Sequence, residues 1–113
     1  MPHFIIDCPE QIIKVKSPES IMQKVYDTAK STELFIPEEI KVRINSYQYY
    51  ITGNTNDNFI HVFANIMEGR TTEQKSNLSK QIVTELKAMF PEVLIISMNI
   101  RDFEKATYRN IAV

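Results

Sequence analysis

Two well-marked helix starts divide this 113-residue chain into a pattern that few folds satisfy. Ser17-Pro18-Glu19 supplies a hydroxyl cap, a proline suited to the first helical position, and an acid near the positive helix end. Ile21, Met22, Val25, Tyr26 and Ala29 then recur at helical spacing and predict a helix to about residue 32. Thr71 and Gln74 have capping-box spacing. Leu78, Ile82, Leu86 and Met89 form a second stripe, which should end near Phe90, before Pro91.

Strands bracket both helices. Residues 2–8 alternate, with Pro2, Phe4, Ile6 and Cys8 on one face and His3, Ile5 and Asp7 on the other. Residues 40–50 place Ile40, Val42 and Ile44 opposite Lys41, Arg43, Asn45, Tyr47 and Tyr49. Residues 59–67 are apolar on both faces, so both faces should be covered. Residues 93–101 read as a fourth strand, and Tyr108 to Val113 as a possible short fifth. The stretch 52–58, around Gly53, reads as a turn or loop. Gly53 and Gly69 are the only glycines, so each should mark a backbone position that needs one.

The expected fold class is therefore α+β. A single domain, residues 1–113, contains two consecutive β-α-β units that form a four-stranded sheet. Right-handed crossovers put both helices on one face. The other face would carry Tyr47, Tyr49, Phe59, His61 and Phe63, which implies self-association through it.

Composition narrows the function classes. A formal net charge of -1 argues against a broad nucleic-acid surface. An RNA module of ferredoxin-like fold is a weak third reading, since the aromatic face lacks an RNA-binding signature. No apolar run is long enough to span a membrane and no signal-peptide pattern precedes the first strand, so a cytoplasmic protein is expected. The lone Cys8 excludes an intrachain disulfide and reads as a small buried hydrophobe. His3 and His61 do not make a metal site, and His61 reads as a packed or interface residue. Glu38 and Glu39 read as loop charge, and Glu68 as support for the turn.

Three features point to chemistry. Met1-Pro2 opens directly into a strand, and removal of Met1 would make Pro2 a secondary amine held by its own ring. Lys41 and Arg43 share one strand face. Gly69-Arg70-Thr71 joins a strand to a helix. The bland alternatives are a chance Met-Pro start, a solvated loop arginine and plain surface charge.

Together these residues resemble the tautomerase superfamily, and most closely the 5-carboxymethyl-2-hydroxymuconate isomerases. The likeness lies in Met1-Pro2-His3-Phe4-Ile5, Ile40-Lys41-Val42-Arg43-Ile44, Phe59-Ile60-His61-Val62 and Glu68-Gly69-Arg70-Thr71-Thr72-Glu73-Gln74-Lys75. It implies a cytoplasmic homotrimer acting without metal or organic cofactor on a small carboxylate, with no nucleic-acid or membrane partner. It implies aromatic catabolism as the setting. Pro2 and Arg70 would be catalytic, and Lys41 and Arg43 would bind substrate. Muconate isomerases of this type carry arginine where this chain has Lys41. Lysine keeps the charge but loses the planar fork that grips a carboxylate at two points. A base works best with its pKa near the working pH. Desolvation beside Phe4 and Ile6, and repulsion from Arg70 and Lys41, would lower the amine toward it. The alternative is a non-catalytic trimer of the same fold that binds a small anion or a protein.

Overall fold

The computed structural model describes residues 1–112. Strands β1 (His3–Pro9), β2 (Lys41–Tyr47), β3 (Phe59–Met67) and β4 (Ile95–Phe103) form one sheet in the order β2-β1-β3-β4. β1 runs parallel to β2 and antiparallel to β3, while β3 runs parallel to β4. The helices are α1 (Ile12–Val15), α2 (Pro18–Ser31) and α3 (Thr72–Met89), with a 3₁₀ turn at Pro37–Glu39. The four-stranded sheet, with α2 and α3 packed on one face, is the expected architecture.

The alternation in β1 explains the packing. Phe4, Ile6 and Cys8 are fully buried beneath the helices. Their partners on that face are Ile60, Val62, Ala64 and Ile66 of β3, also buried. Ile21, Val25 and Ala29 of α2 and Leu78, Ile82 and Leu86 of α3 close the core from above. Both helix caps form as expected. The Ser17 side chain accepts from the Ser20 backbone N–H. Thr71 and Gln74 satisfy each other's backbone N–H groups, completing the capping box.

Strand ends differ from expectation for one reason: a strand lasts only as long as its partner. β2 stops at Tyr47, opposite Pro9, because β1 turns there into the short helix α1. Tyr49 is consequently a solvent-exposed loop residue rather than part of the sheet face. β4 starts at Ile95 because β3 starts opposite it at Phe59, and it runs on to Phe103 opposite Met67. Val93, expected in the strand, instead donates to the Phe90 carbonyl in the turn that ends α3. The fifth strand does not form over Tyr108–Ala112; Val113 lies outside the described residues. There the Thr107 and Tyr108 N–H groups bond back to Glu104, and the Tyr108 ring packs on Phe103 at 5.1 Å.

Gly53 and Gly69 have φ of 60° and 118°. No atom lies within 4 Å of where either Cβ would stand, so conformation rather than space calls for glycine. Glu68 accepts from the Lys105 N–H, tying the tail to the β3–α3 turn.

The open sheet face carries His3, Ile5 and Asp7 beside Lys41, Arg43, Asn45 and Tyr47, then Phe59, His61 and Phe63 beside Ile95, Ser97 and Asn99. His61 is held by Ser97 Oγ at 2.6 Å and Asn99 Oδ1 at 2.7 Å, with its ring edge-on to Phe63. It is a packed residue. Asp7 accepts from Tyr47 Oη at 3.1 Å, which raises the tyrosine pKa by hydrogen bonding and by charge repulsion.

Truncating Leu78 to alanine in the fully buried stripe should destabilise the fold by about 3 kcal/mol. Thr71→Ala should cost about 1 kcal/mol by freeing the cap. Denaturant unfolding at fixed protein concentration measures both, and a smaller loss for Leu78→Ala than for Thr71→Ala would contradict this packing. Cys8 is fully buried, and burial, followed by repulsion from Asp7, pushes its thiol pKa up to about 11. A thiol reagent at about pH 8 should therefore label it only as the chain unfolds.

Candidate active site

Residue 2 is held where the centre of the sheet meets the loop that follows α2. Its carbonyl accepts from the Lys41 N–H at 3.0 Å, so the start of β1 is fastened to the start of β2. Pro2 is buried at this point. Beside it lies a cleft of about 280 Å³ lined by Met1, Pro2, Glu33, Leu34, Phe35, Glu39, Met67 and Arg70, among others.

Arg70 reaches the cleft from the turn between β3 and α3. Gly69 makes that turn with its positive φ, and the guanidinium folds back. Nη1 donates to the Met67 carbonyl at 3.2 Å and Nη2 to the Leu34 carbonyl. The guanidinium carbon stands 5.2 Å from the centre of the Phe35 ring, within cation–π range. Phe35 in turn meets Phe4 edge-on at 5.9 Å, so the cationic wall rests on the core. Arg70 is therefore not a solvated loop charge. The loop opposite, 33–36, contains the one described non-glycine residue with positive φ, Glu33 at 60°. Glu33 directly follows the C-cap of α2, a place where a left-handed residue commonly ends a helix.

The structure brings Pro2 and Arg70 into one cleft. It does not bring Lys41 or Arg43 into it. The Lys41 ammonium rests on the Glu39 carbonyl at 2.8 Å, outside the lining. Arg43 lies on the open sheet face, its Nη1 3.1 Å from His3 Nδ1. That contact requires an unprotonated Nδ1. The His3 pKa is lowered accordingly, first by burial and then by Arg43, Lys41 and the N-terminus.

The residue that sequence reasoning missed is Glu39. It is not idle loop charge. Its Oε1 lies 2.8 Å from the N-terminal ammonium of Met1. That hydrogen bond, and then the charge of the amine, holds the Glu39 carboxyl below its ordinary pKa. The closest charge to the N-terminus is thus an acid, whereas the sequence pointed to cations. The signal was weak: Glu39 lies two residues before the strand residue that clamps Pro2. On the other side of Met1, Sδ lies 2.8 Å from Tyr108 Oη and 3.0 Å from Asn110 Nδ2.

Among the described residues no group of three or more His, Cys, Asp or Glu side chains is arranged to hold a metal ion. No helix among them is long and apolar enough to cross a membrane.

A 5-carboxymethyl-2-hydroxymuconate isomerase from Deinococcus radiodurans R1 has the same fold. Its TM-score is 0.83 at 22% identity, over 96% of this chain and 87% of that one. A fused 4-OT symmetric trimer matches with a TM-score of 0.77 at 15% identity, over 94% and 91%. A macrophage migration inhibitory factor-like protein from Entamoeba histolytica matches at 0.71 and 13%, over 96% and 94%. At these identities the likeness establishes the fold. No curated protein matches the chain. The family model described as 5-carboxymethyl-2-hydroxymuconate isomerase matches residues 2–112, and the chain accordingly belongs to that family.

Proposed function

We propose that the protein is an isomerase that moves a proton within a small, anionic, unsaturated keto or hydroxy acid of muconate type. The N-terminal amine of Pro2, exposed by removal of Met1, is its base and then its acid. The observation that carries this reading is the shared cleft: Pro2 and an arginine anchored on the aromatic core line the same space. Family membership supports the reaction class.

The amine takes a proton from one end of the conjugated system. The electron pair left behind delocalises onto the carbonyl oxygen as a dienolate, and the prolinium returns the proton at the other end. No atom is gained or lost, so no oxidant, reductant or cofactor is called for. Arg70 has five N–H donors, and only two bonds are spent on backbone carbonyls. The remaining donors meet the substrate carboxylate and the developing oxyanion. Leu34 and Phe35 line that side, and a substrate seated against them would displace water and so strengthen those charge interactions.

The open sheet face supports assembly as a homotrimer. Phe63, Tyr47 and Ile95 are each about two-fifths exposed there, a patch that a partner subunit would cover. In such an assembly Lys41 and Arg43 would act at the subunit boundary, adding positive charge near the substrate. A second reading depends on the fate of Met1. With Met1 retained, the Pro2 nitrogen is an amide without useful basicity, and the protein would be a trimeric binding module for a small anion or a protein.

Pro2→Ala should leave the assembly intact and lower kcat by orders of magnitude on enol or muconate-type acids. Full activity in that variant would remove the base assignment. Arg70→Ala should lose activity on anionic substrates; an unchanged kcat and KM would make it a purely structural residue. Light scattering should give about three times the 13.2 kDa chain mass, and a monomer would refute the assembly. Intact mass of the protein from its natural host decides between the two readings.

A further inference from the structure

We infer that Glu39 is a positioning residue for the catalytic amine: once Met1 is gone, its carboxylate pairs with the Pro2 nitrogen, orienting it toward the cleft and stabilising the prolinium that forms when it takes a proton. This rests on the proposed role of Pro2 as the base, and it adds a residue to which no role was assigned on sequence grounds.

The placement of Glu39 does not depend on which residue carries the amine. The 3₁₀ turn Pro37–Glu39 and the Lys41 N–H to Pro2 carbonyl bond fix its backbone beside residue 2. The carboxylate already holds the N-terminal nitrogen at 2.8 Å. Successive backbone nitrogens are only about 3–4 Å apart, from standard bond lengths. The Glu39 side chain is 37% exposed, so it has room to swing that distance.

The surroundings leave Glu39 as the counter-charge. Arg70 is bound to two carbonyls and stacked on Phe35. The Lys41 ammonium rests on Glu39's own carbonyl. His3 is kept neutral next to Arg43. Glu33 lines the same cleft as a second acid. From the tail, Tyr108 contacts the sulfur of Met1, not its nitrogen. An acid beside an amine favours the charged form, against desolvation and Arg70, which favour the neutral one. Glu39 therefore sets the pH below which Pro2 can no longer accept a proton, and its removal moves that limit down.

The test uses protein freed of Met1 by methionine aminopeptidase, verified by mass, with ¹⁵N-labelled proline. Titration of the Pro2 nitrogen by NMR is compared in the wild type, Glu39→Gln and Glu39→Asp. The Pro2 pKa should fall by about one unit in Glu39→Gln and return most of the way in Glu39→Asp. The acid limb of the kcat/KM profile should move with it. An unchanged titration in Glu39→Gln would overturn the proposal. The titration needs no substrate, so it is independent of Pro2's assignment. An inactive Pro2→Ala with an unshifted Glu39→Gln removes Glu39 alone; an active Pro2→Ala with a shifted Glu39→Gln removes the base assignment alone.

Discussion

The structure depends on β1 being paired on both sides. Parallel pairing with β2 and antiparallel pairing with β3 put a seven-residue strand in the middle of the sheet. An inner strand has no free backbone edge, so its register is fixed along its length. The first of the ties holding it comes before the strand itself, from the Lys41 N–H to the Pro2 carbonyl. A chain terminus normally frays. Here residue 2 is already buried and its carbonyl is bonded to the Lys41 N–H, so the backbone is tied to the sheet from that residue onward. A base on a mobile tail would lose much of the advantage that orientation gives to proton transfer.

Helices were more legible in the sequence than strand ends, and the physics explains the difference. A helix carries its own boundary signals, because caps satisfy its end groups locally. Ser17, Thr71 and Gln74 could be read in place, and both helices begin where those residues put them. A strand end is a property of the pair. Nothing around Tyr47 says that β1 will turn away at Pro9, and nothing around Val93 says that β3 begins only opposite Ile95. The faces of the strands were legible because alternation is local. The extent was not, because pairing is remote.

The same division runs through the candidate site. Pro2 and Arg70 stood out through local context, a strand start and a glycine turn before a helix cap. Their meeting in one cleft follows from β1 and β3 being neighbours. Glu39 was not legible, since an acid in a loop before a strand has no local mark of purpose. Its role appears only when parallel pairing of β1 with β2 brings residue 39 beside residue 1. Lys41 and Arg43 illustrate the converse. Their common face was read correctly, yet that face is the open one, turned away from the helices and outside the cleft.

That separation has a consequence for an assembled state. Covering the open face means taking Arg43, Asp7 and Lys41 partly out of water, which costs free energy unless each keeps a partner. Partners are already in place within one chain. Arg43 meets the lone pair of His3, Asp7 accepts from Tyr47 and Asn45, and Lys41 rests on a backbone carbonyl. Each of these groups thus keeps one partner within the chain, while Arg43 and Lys41 retain donors that a neighbouring subunit would have to meet, and the apolar groups between them, Ile5, Phe63 and Ile95, would drive association. A face of this kind can be buried without distorting β1, and so without moving Pro2, which β1 and β2 hold in position.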